Sequence, residues 1–245
     1  YFANGTDKIY LAYTTGHPDV EYPNYTYFNY IDIHTLQLKD ISGTALSTIA
    51  DGPHPINKTD YPDRYPEAVV DSPADQRDWI WQTCLDKDGR PVIALVQISK
   101  DKQQHTYYYV RWTGMAWEKT FLAEGGGHFH QTEGLELCYS GGMAIDNVKP
   151  GIVYCSVPVT GSSGEVYEIM KFTLSEEGEV VSQEQVTRHS SLNNVRPYVV
   201  ANAGKSPFRL VWMHGNYYDW IVSSTHPKGF PTAIQIGRAS CRERV

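Results

Sequence analysis

The sequence predicts an all-β chain folded as part of a propeller, and two observations predict it. Short aromatic and β-branched runs, broken by Gly, Pro, Asn and Asp, occur throughout, while no window sustains the 3.6-residue period of an amphipathic helix. The second observation is an order of elements that returns four times: a short strand, a tight turn, an apolar strand, a polar loop and an aromatic strand.

The apolar second strands are "KIYLAYTTG" (8–16), "PVIALVQIS" (91–99), "GIVYCSVPV" (151–159) and "PFRLVWMHG" (207–215). The third strands are "YTYFNYIDI" (25–33), "TYYYVRWTG" (106–114), "EVYEIMKFT" (165–173) and "YDWIVSSTH" (218–226). First strands are "WIWQTCLD" (79–86), "GMAID" (142–146) and "PYVVA" (197–201), with only "YF" ahead of the first repeat. The turns "DKDGR", "DNVKPG" and "NAGKS" supply the Gly and Asp that tight hairpins require. Second strands begin at 8, 91, 151 and 207, a spacing that suits four-stranded blades. A two-sheet sandwich would also show many short strands, but it would not return the same order four times.

The blades are expected over about 1–50, 77–124, 135–190 and 191–235, with a Pro- and Asp-rich insertion at 51–76. Four blades are fewer than an ordinary ring holds, and the sequence opens without Met in mid-pattern, so the chain reads as an internal piece of a longer protein. Residues 236–245, "IGRASCRERV", follow no period and read as a non-native tail.

Composition narrows the function. With 245 residues, 41% hydrophobic, the chain is globular, and no apolar run is long enough for a membrane-spanning helix. A net charge of −7 without a basic stripe argues against nucleic acid as a partner. An anionic ligand would have to be met by a few local cations. Outside the tail, Cys84, Cys138 and Cys155 form no disulfide framework and no paired zinc motif, and read as small buried thiols.

In a propeller blade the first strand lines the channel. The segment leading into it and the loop between second and third strands open on one face. The lead-in segments are "DQRDW" (75–79), "LELCYSGG" (135–142) and "SLNNVRP" (191–197). The loops are "TTGHPDVEYPN" (14–24), "SKDKQQH" (99–105), "VTGSSG" (159–164) and "HGNYY" (214–218). Arg77, Tyr139 and Arg196 thus hold equivalent places in three repeats, and His17 and His214 in two. Arg77 and Arg196 are carboxylate-binding candidates, because a guanidinium grips a carboxylate through two bonds. Tyr139 is a candidate acid–base phenol, and His17 and His214 are site histidines on polar loops. Asn194 beside Arg196, and Tyr217 beside His214, complete the binding candidates. In "GGGHFHQTE" (125–133), His128 and His130 share one side of an extended strand and could hold a metal with Glu133. No third ligand stands at a diagnostic spacing, so the stretch reads as a channel-face loop. Trp79, Trp112, Trp117, Trp212 and Trp220 are assigned chiefly to packing.

The ordered set "TTGHPD", "DKDGRPVIAL", "YYYVRWTGMAW", "YSGGMAIDNVKPGIVYCS", "YEIMKFT" and "NNVRPYVV" resembles the bacterial-neuraminidase-repeat propellers of carbohydrate-active enzymes. Among these are the seven-bladed ulvan lyases, which cleave rhamnose–glucuronate linkages. The resemblance spans roughly 1–235 and implies a secreted or periplasmic bacterial enzyme acting on an acidic polysaccharide. Such enzymes cut beside a uronic acid by β-elimination, using a cation at the carboxylate together with His and Tyr as base and acid. On this resemblance His17, Tyr139 and Arg196 are the catalytic candidates, and Arg77, His130, Asn194, His214 and Tyr217 bind substrate. The family's histidine pair comes from early blades, which this chain is expected to lack. Val157 stands where the family pattern often carries Arg. A glycoside hydrolase for a rhamnosyl–uronate or sialidase-like substrate, or a non-catalytic sugar-binding propeller, are the alternatives. No cofactor is implied, and a structural divalent cation is compatible with the reading.

Overall fold

The computed structural model describes residues 1–52, 54, 58–59, 61–128, 137–161, 164–201, 203, 206, 208–215 and 232–237. It contains four antiparallel sheets. The first runs β1 (Phe2–Ala3), β2 (Lys8–Thr14), β3 (Thr26–Asp32), β4 (Gln37–Lys39) and β5 (Ala45–Thr48), with β6 (Val69–Asp71) added against β3. The second is the meander β7 (Arg77–Leu85), β8 (Pro91–Ile98), β9 (His105–Trp112) and β10 (Trp117–Gly126). The third is β11 (Met143–Ile145), β12 (Ile152–Gly161), β13 (Gly164–Leu174) and β14 (Val180–Gln185). The fourth is β15 (Asn193–Val199), β16 (Leu210–Gly215) and β17 (Thr232–Gly237).

The second strands of the repeat lie where the sequence puts them. The expected third strand of the last repeat, 218–226, lies outside the described residues. The strand paired with β16 is β17, whose Ile236 and Gly237 sit opposite Val211 and Leu210. Strand pairing therefore continues two residues past 235, where the sequence pattern places the end of the fold. The 51–76 insertion packs on the first sheet: Tyr61 and Ala68 are buried against Tyr27, and β6 extends the ladder of β3.

The sheets pack face to face in chain order. Ile93, Leu95 and Val110 of the second sheet meet Tyr10, Phe28 and Tyr30 of the first. Val92, Ala94, Val96 and Ile98 point the other way, onto Ile145, Val153, Cys155 and Val157 of the third. With both faces covered, β8 reads "PVIALVQI", nearly apolar throughout rather than alternating, and every residue in it is buried. Each buried Val, Ile or Leu among them contributes about 1.5–3 kcal/mol of burial. Ala144, Tyr154 and Ile169 then pack on Val199 and Leu210 of the fourth sheet.

Polar ties fix the angle between neighbours. Gln82 on β7 exchanges two bonds with the backbone of Ile145 on β11, at 2.9 and 3.3 Å, acting as a surrogate strand pair. Buried Asp146 forms an ion pair with Arg209 ahead of β16. The first strands β7, β11 and β15 consequently lie side by side. Their starting ends, together with the finishing ends of β2, β8, β12 and β16, form one face of the molecule.

Candidate functional site

The 14–24 loop is built on Asn24, which is fully buried. Its side chain accepts from Gly16 N–H at 3.1 Å and donates to the Gly16 carbonyl at 2.9 Å and the Asp78 carbonyl at 2.9 Å. One amide thus closes the loop and ties it to the start of β7. At the loop tip the His17 imidazole lies edge-on to Trp79, centroids 4.9 Å apart, with the Tyr139 ring 6.4 Å away. His17 Nδ1 accepts from Asp19 N–H at 3.2 Å. Lys102, from the loop after β8, donates to the Asp19 carbonyl at 2.9 Å and to its carboxylate at 2.6 Å. Burial alone would raise the Asp19 pKa, but the Lys102 ammonium outweighs it with help from the Cys138 thiol, so the carboxyl titrates below its usual range. The Cys138 thiol is pushed up to about 12 by burial and by the Asp19 charge, and stays protonated.

Arg196 enters from the fourth sheet. Its guanidinium carbon lies 4.6 Å from the Trp81 ring centre and 5.7 Å from that of Tyr139, cation–π distance to both rings. Two bulges produce this meeting. The β7–β8 register slips between Ile80 and Gln82, leaving Trp81 as the extra residue. The β15–β16 register slips between Val195 and Tyr198, across Arg196 and Pro197. Bulges re-aim side chains out of the regular alternation. Arg196 also adopts φ 55°, an uncommon conformation for a non-glycine residue and more so before proline. Its N–H donates to the Gly141 carbonyl at 2.6 Å, which holds the strained turn in place.

Gly141 and Gly142 leave the space this geometry needs. A Cβ on Gly141 would stand 2.5 Å from Ser156 Oγ and 2.9 Å from Tyr167, and one on Gly142 would stand 3.2 Å from Trp81. His17, Trp79, Trp81, Tyr139 and Arg196 are all half-buried, and so remain accessible in part. A cleft of about 410 Å³, lined by Ala12, Tyr13, Thr14, Gly16, His17, Trp79 and Ile80, opens against the same imidazole.

Of the residues expected from sequence, His17, Tyr139 and Arg196 are brought together. Arg77 is not part of this cluster. It is only 8% exposed, its Nη1 donates to the Ser99 and Lys100 carbonyls at 3.1 and 2.8 Å, and its plane covers the Tyr22 ring. It pins the loop after β8, because the first residue of a strand is directed by local pairing rather than by its place in the repeat. Asn194 is buried and turned inward, so it is a structural amide rather than a surface contact. His214 is held against it, Nδ1 to Asn194 Oδ1, at 2.9 Å. His130, Glu133 and Tyr217 lie outside the described residues. Among the described residues no three His, Cys, Asp or Glu side chains gather around a common point. Trp81 was not legible as a site residue, because its bulge depends on pairing with β8 rather than on local sequence.

The site can be set beside known proteins. Residues 1–125 match the model of a BNR repeat-containing family. An ulvan lyase of polysaccharide lyase family PL25, solved bound to -[GlcA(1-4)Rha3S]-, aligns with a TM-score of 0.60 over 97% of this chain, at 12% identity. A second structure of a PL25 ulvan lyase aligns with the same TM-score, coverage and identity. The chain spans about half the length of these two proteins, 50% in each case. No curated protein matches the sequence. At this identity the structural likeness speaks for the fold, and the family follows from the sequence match over half the chain. The chain belongs to the BNR repeat-containing family.

Proposed function

We propose that the four sheets are successive blades of a seven-bladed propeller in a secreted or periplasmic polysaccharide lyase, acting beside a uronic acid. One observation carries the reading: a guanidinium, a phenol and an imidazole, supplied by three different sheets, meet on one face within 6.4 Å of their neighbours. An anionic sugar needs a cation, and Arg196 is held in place for a carboxylate by two aromatic faces. Trp79 beside the cleft offers an apolar surface for a sugar ring.

The chemistry follows from charge. Pairing the uronate carboxylate with Arg196 stabilises the negative charge that develops when the C5 proton leaves. The C5–H electrons become the C4=C5 double bond, the bond from C4 to the leaving oxygen breaks, and that oxygen takes up a proton. We assign this proton transfer to Tyr139 and His17. A glycosidase would instead want two carboxyl groups flanking the scissile bond, whereas among the described residues of the 14–24 loop Asp19 is engaged by Lys102 and Glu21 by Lys58.

The test is to incubate the intact protein with acidic polysaccharides and to follow the ultraviolet absorbance of the new enoate. New reducing ends accompanied by that absorbance support the lyase. Reducing ends without it indicate hydrolysis, and binding without cleavage indicates a non-catalytic sugar-binding propeller.

A further inference from the structure

Between the third and fourth sheets lies a buried polar network that the proposed chemistry does not use. Glu168 on β13 and Asn194 on β15 are 1% and 2% exposed. Glu168 Oε1 accepts from Ser190 N–H at 2.8 Å, and Oε2 accepts from the Ser190 hydroxyl at 2.9 Å and Asn194 Nδ2 at 3.0 Å. Asn194 Nδ2 also donates to the Tyr167 carbonyl at 3.2 Å. On its other side, Asn194 Oδ1 faces Trp212 Nε1 and His214 Nδ1, each at 2.9 Å.

These partners leave the amide one orientation. A carbonyl and a carboxylate only accept, so the Asn194 atom between them is the nitrogen. An indole N–H only donates, so the atom facing Trp212 is the oxygen. That oxygen in turn requires a proton on His214 Nδ1, which leaves the lone pair of the neutral ring on Nε2. His17 is wired the opposite way. Its Nδ1 accepts from Asp19 N–H, so in the neutral ring Nε2 carries the proton. His214 lies inside β16, opposite Asn194, whereas His17 stands on the loop beyond the end of β2.

We propose that Glu168 and Asn194 are positioning residues that fix His214 as a hydrogen acceptor on the ligand face. There Nε2 takes the hydrogen of a sugar hydroxyl, while His17 offers an N–H to a sugar oxygen. A sheet contact that served stability alone would be as well filled by apolar side chains, whereas a buried carboxylate–amide pair holds one orientation of one ring. The same principle governs histidine ligands whose second nitrogen is fixed by a carboxylate or carbonyl. The identity of the ligand as a sugar rests on the function proposed above; the two tautomers do not.

The experiment is ¹H–¹⁵N correlation of the imidazole rings in the full chain, at a pH where both are neutral. His214 should show the Nδ1–H form and His17 the Nε2–H form. A His214 ring in the Nε2–H form overturns the proposal. Asn194→Ala should release His214 into a tautomer mixture and raise KM on an acidic polysaccharide by about tenfold, with kcat changed far less. If that variant does not fold, Glu168→Gln keeps the shape and should still blur the His214 tautomer; an unchanged spectrum counts against the relay. Correct tautomers without activity on acidic polysaccharides would remove the sugar reading and leave the positioning intact. Activity with His214 in the Nε2–H form would do the reverse.

Discussion

Trp81 and Arg196 meet because both sit at breaks in strand register, on β7 and β15, and each leaves the regular alternation to reach the other at 4.6 Å. Neither would point there from an unbroken ladder. Two local irregularities, two sheets apart, thus place a cation over an aromatic face at the mouth of the first strands.

If Arg196 grips the substrate carboxylate, Arg196→Ala removes a charge-assisted pair worth about 1.5–3 kcal/mol, or roughly 10- to 150-fold in kcat/KM. Arg196→Lys recovers only part, since an ammonium lacks the planar fork. The loss shrinks on substrate whose carboxylate is esterified. Equal losses on acid and ester, with an unchanged melting curve, would make Arg196 structural.

Trp81→Leu keeps an apolar side chain but removes the ring beneath the guanidinium. The cation–π contribution is about 0.5–2 kcal/mol, so oligosaccharide Kd should weaken by roughly 2- to 30-fold. Titration calorimetry with an acidic oligosaccharide reads this directly, and a Kd identical to that of the parent would show that the ring does not organise Arg196.

Gly141→Ala would drive a methyl to 2.5 Å from Ser156 Oγ, itself bonded to the Asn194 carbonyl at 2.7 Å. Overpacking of this kind costs about 1–3 kcal/mol. The melting temperature should fall, and activity should fall further than stability explains, because the Gly141 carbonyl anchors Arg196.

Asp78 gives a pH signature of stability. It is fully buried, and burial, then the charge of Asp71, raise its carboxyl pKa to about 8, against the lowering effect of bonds from Gln97 and Thr26. A carboxyl whose folded pKa is raised binds its proton more tightly when folded. Its contribution is fully present below the ordinary carboxylate range and is lost as pH rises through about 8. Asp78→Asn should therefore flatten the decline in melting temperature between mildly acidic and mildly alkaline pH. A wild-type melting temperature that rises over that window, with the variant parallel to it, would refute the assignment.

The fold was largely legible because strand and turn chemistry are local. "PVIALVQIS" reads as an apolar second strand, and "DKDGR" as the tight turn before it. The site was legible as far as position in the repeat determines it, and His17, Tyr139 and Arg196 do converge. Position in the repeat does not say which way a side chain turns. The repeat gives Arg77 and Arg196 equivalent places, yet Arg77 opens β7 and is spent on backbone carbonyls, while Arg196 lies within β15 and reaches the cluster through a bulge. Trp81 and the Glu168–Asn194 network depend on register and on contacts between sheets, which no short window of sequence contains.

Among the described residues each sheet is drawn from one nearly continuous stretch of chain, and the short strand Val69–Asp71 reaches back across an insertion to join the first. During synthesis the chain emerges from one end, so each sheet can close its own ladder soon after its last strand leaves the ribosome. What must wait is the face. Arg196 cannot find Trp81 or the Gly141 carbonyl until the fourth sheet docks, more than 100 residues after Trp81 was made. The strands can thus be completed early and in order, whereas the cluster of Arg196, Trp81 and Tyr139 forms only when the fourth sheet docks.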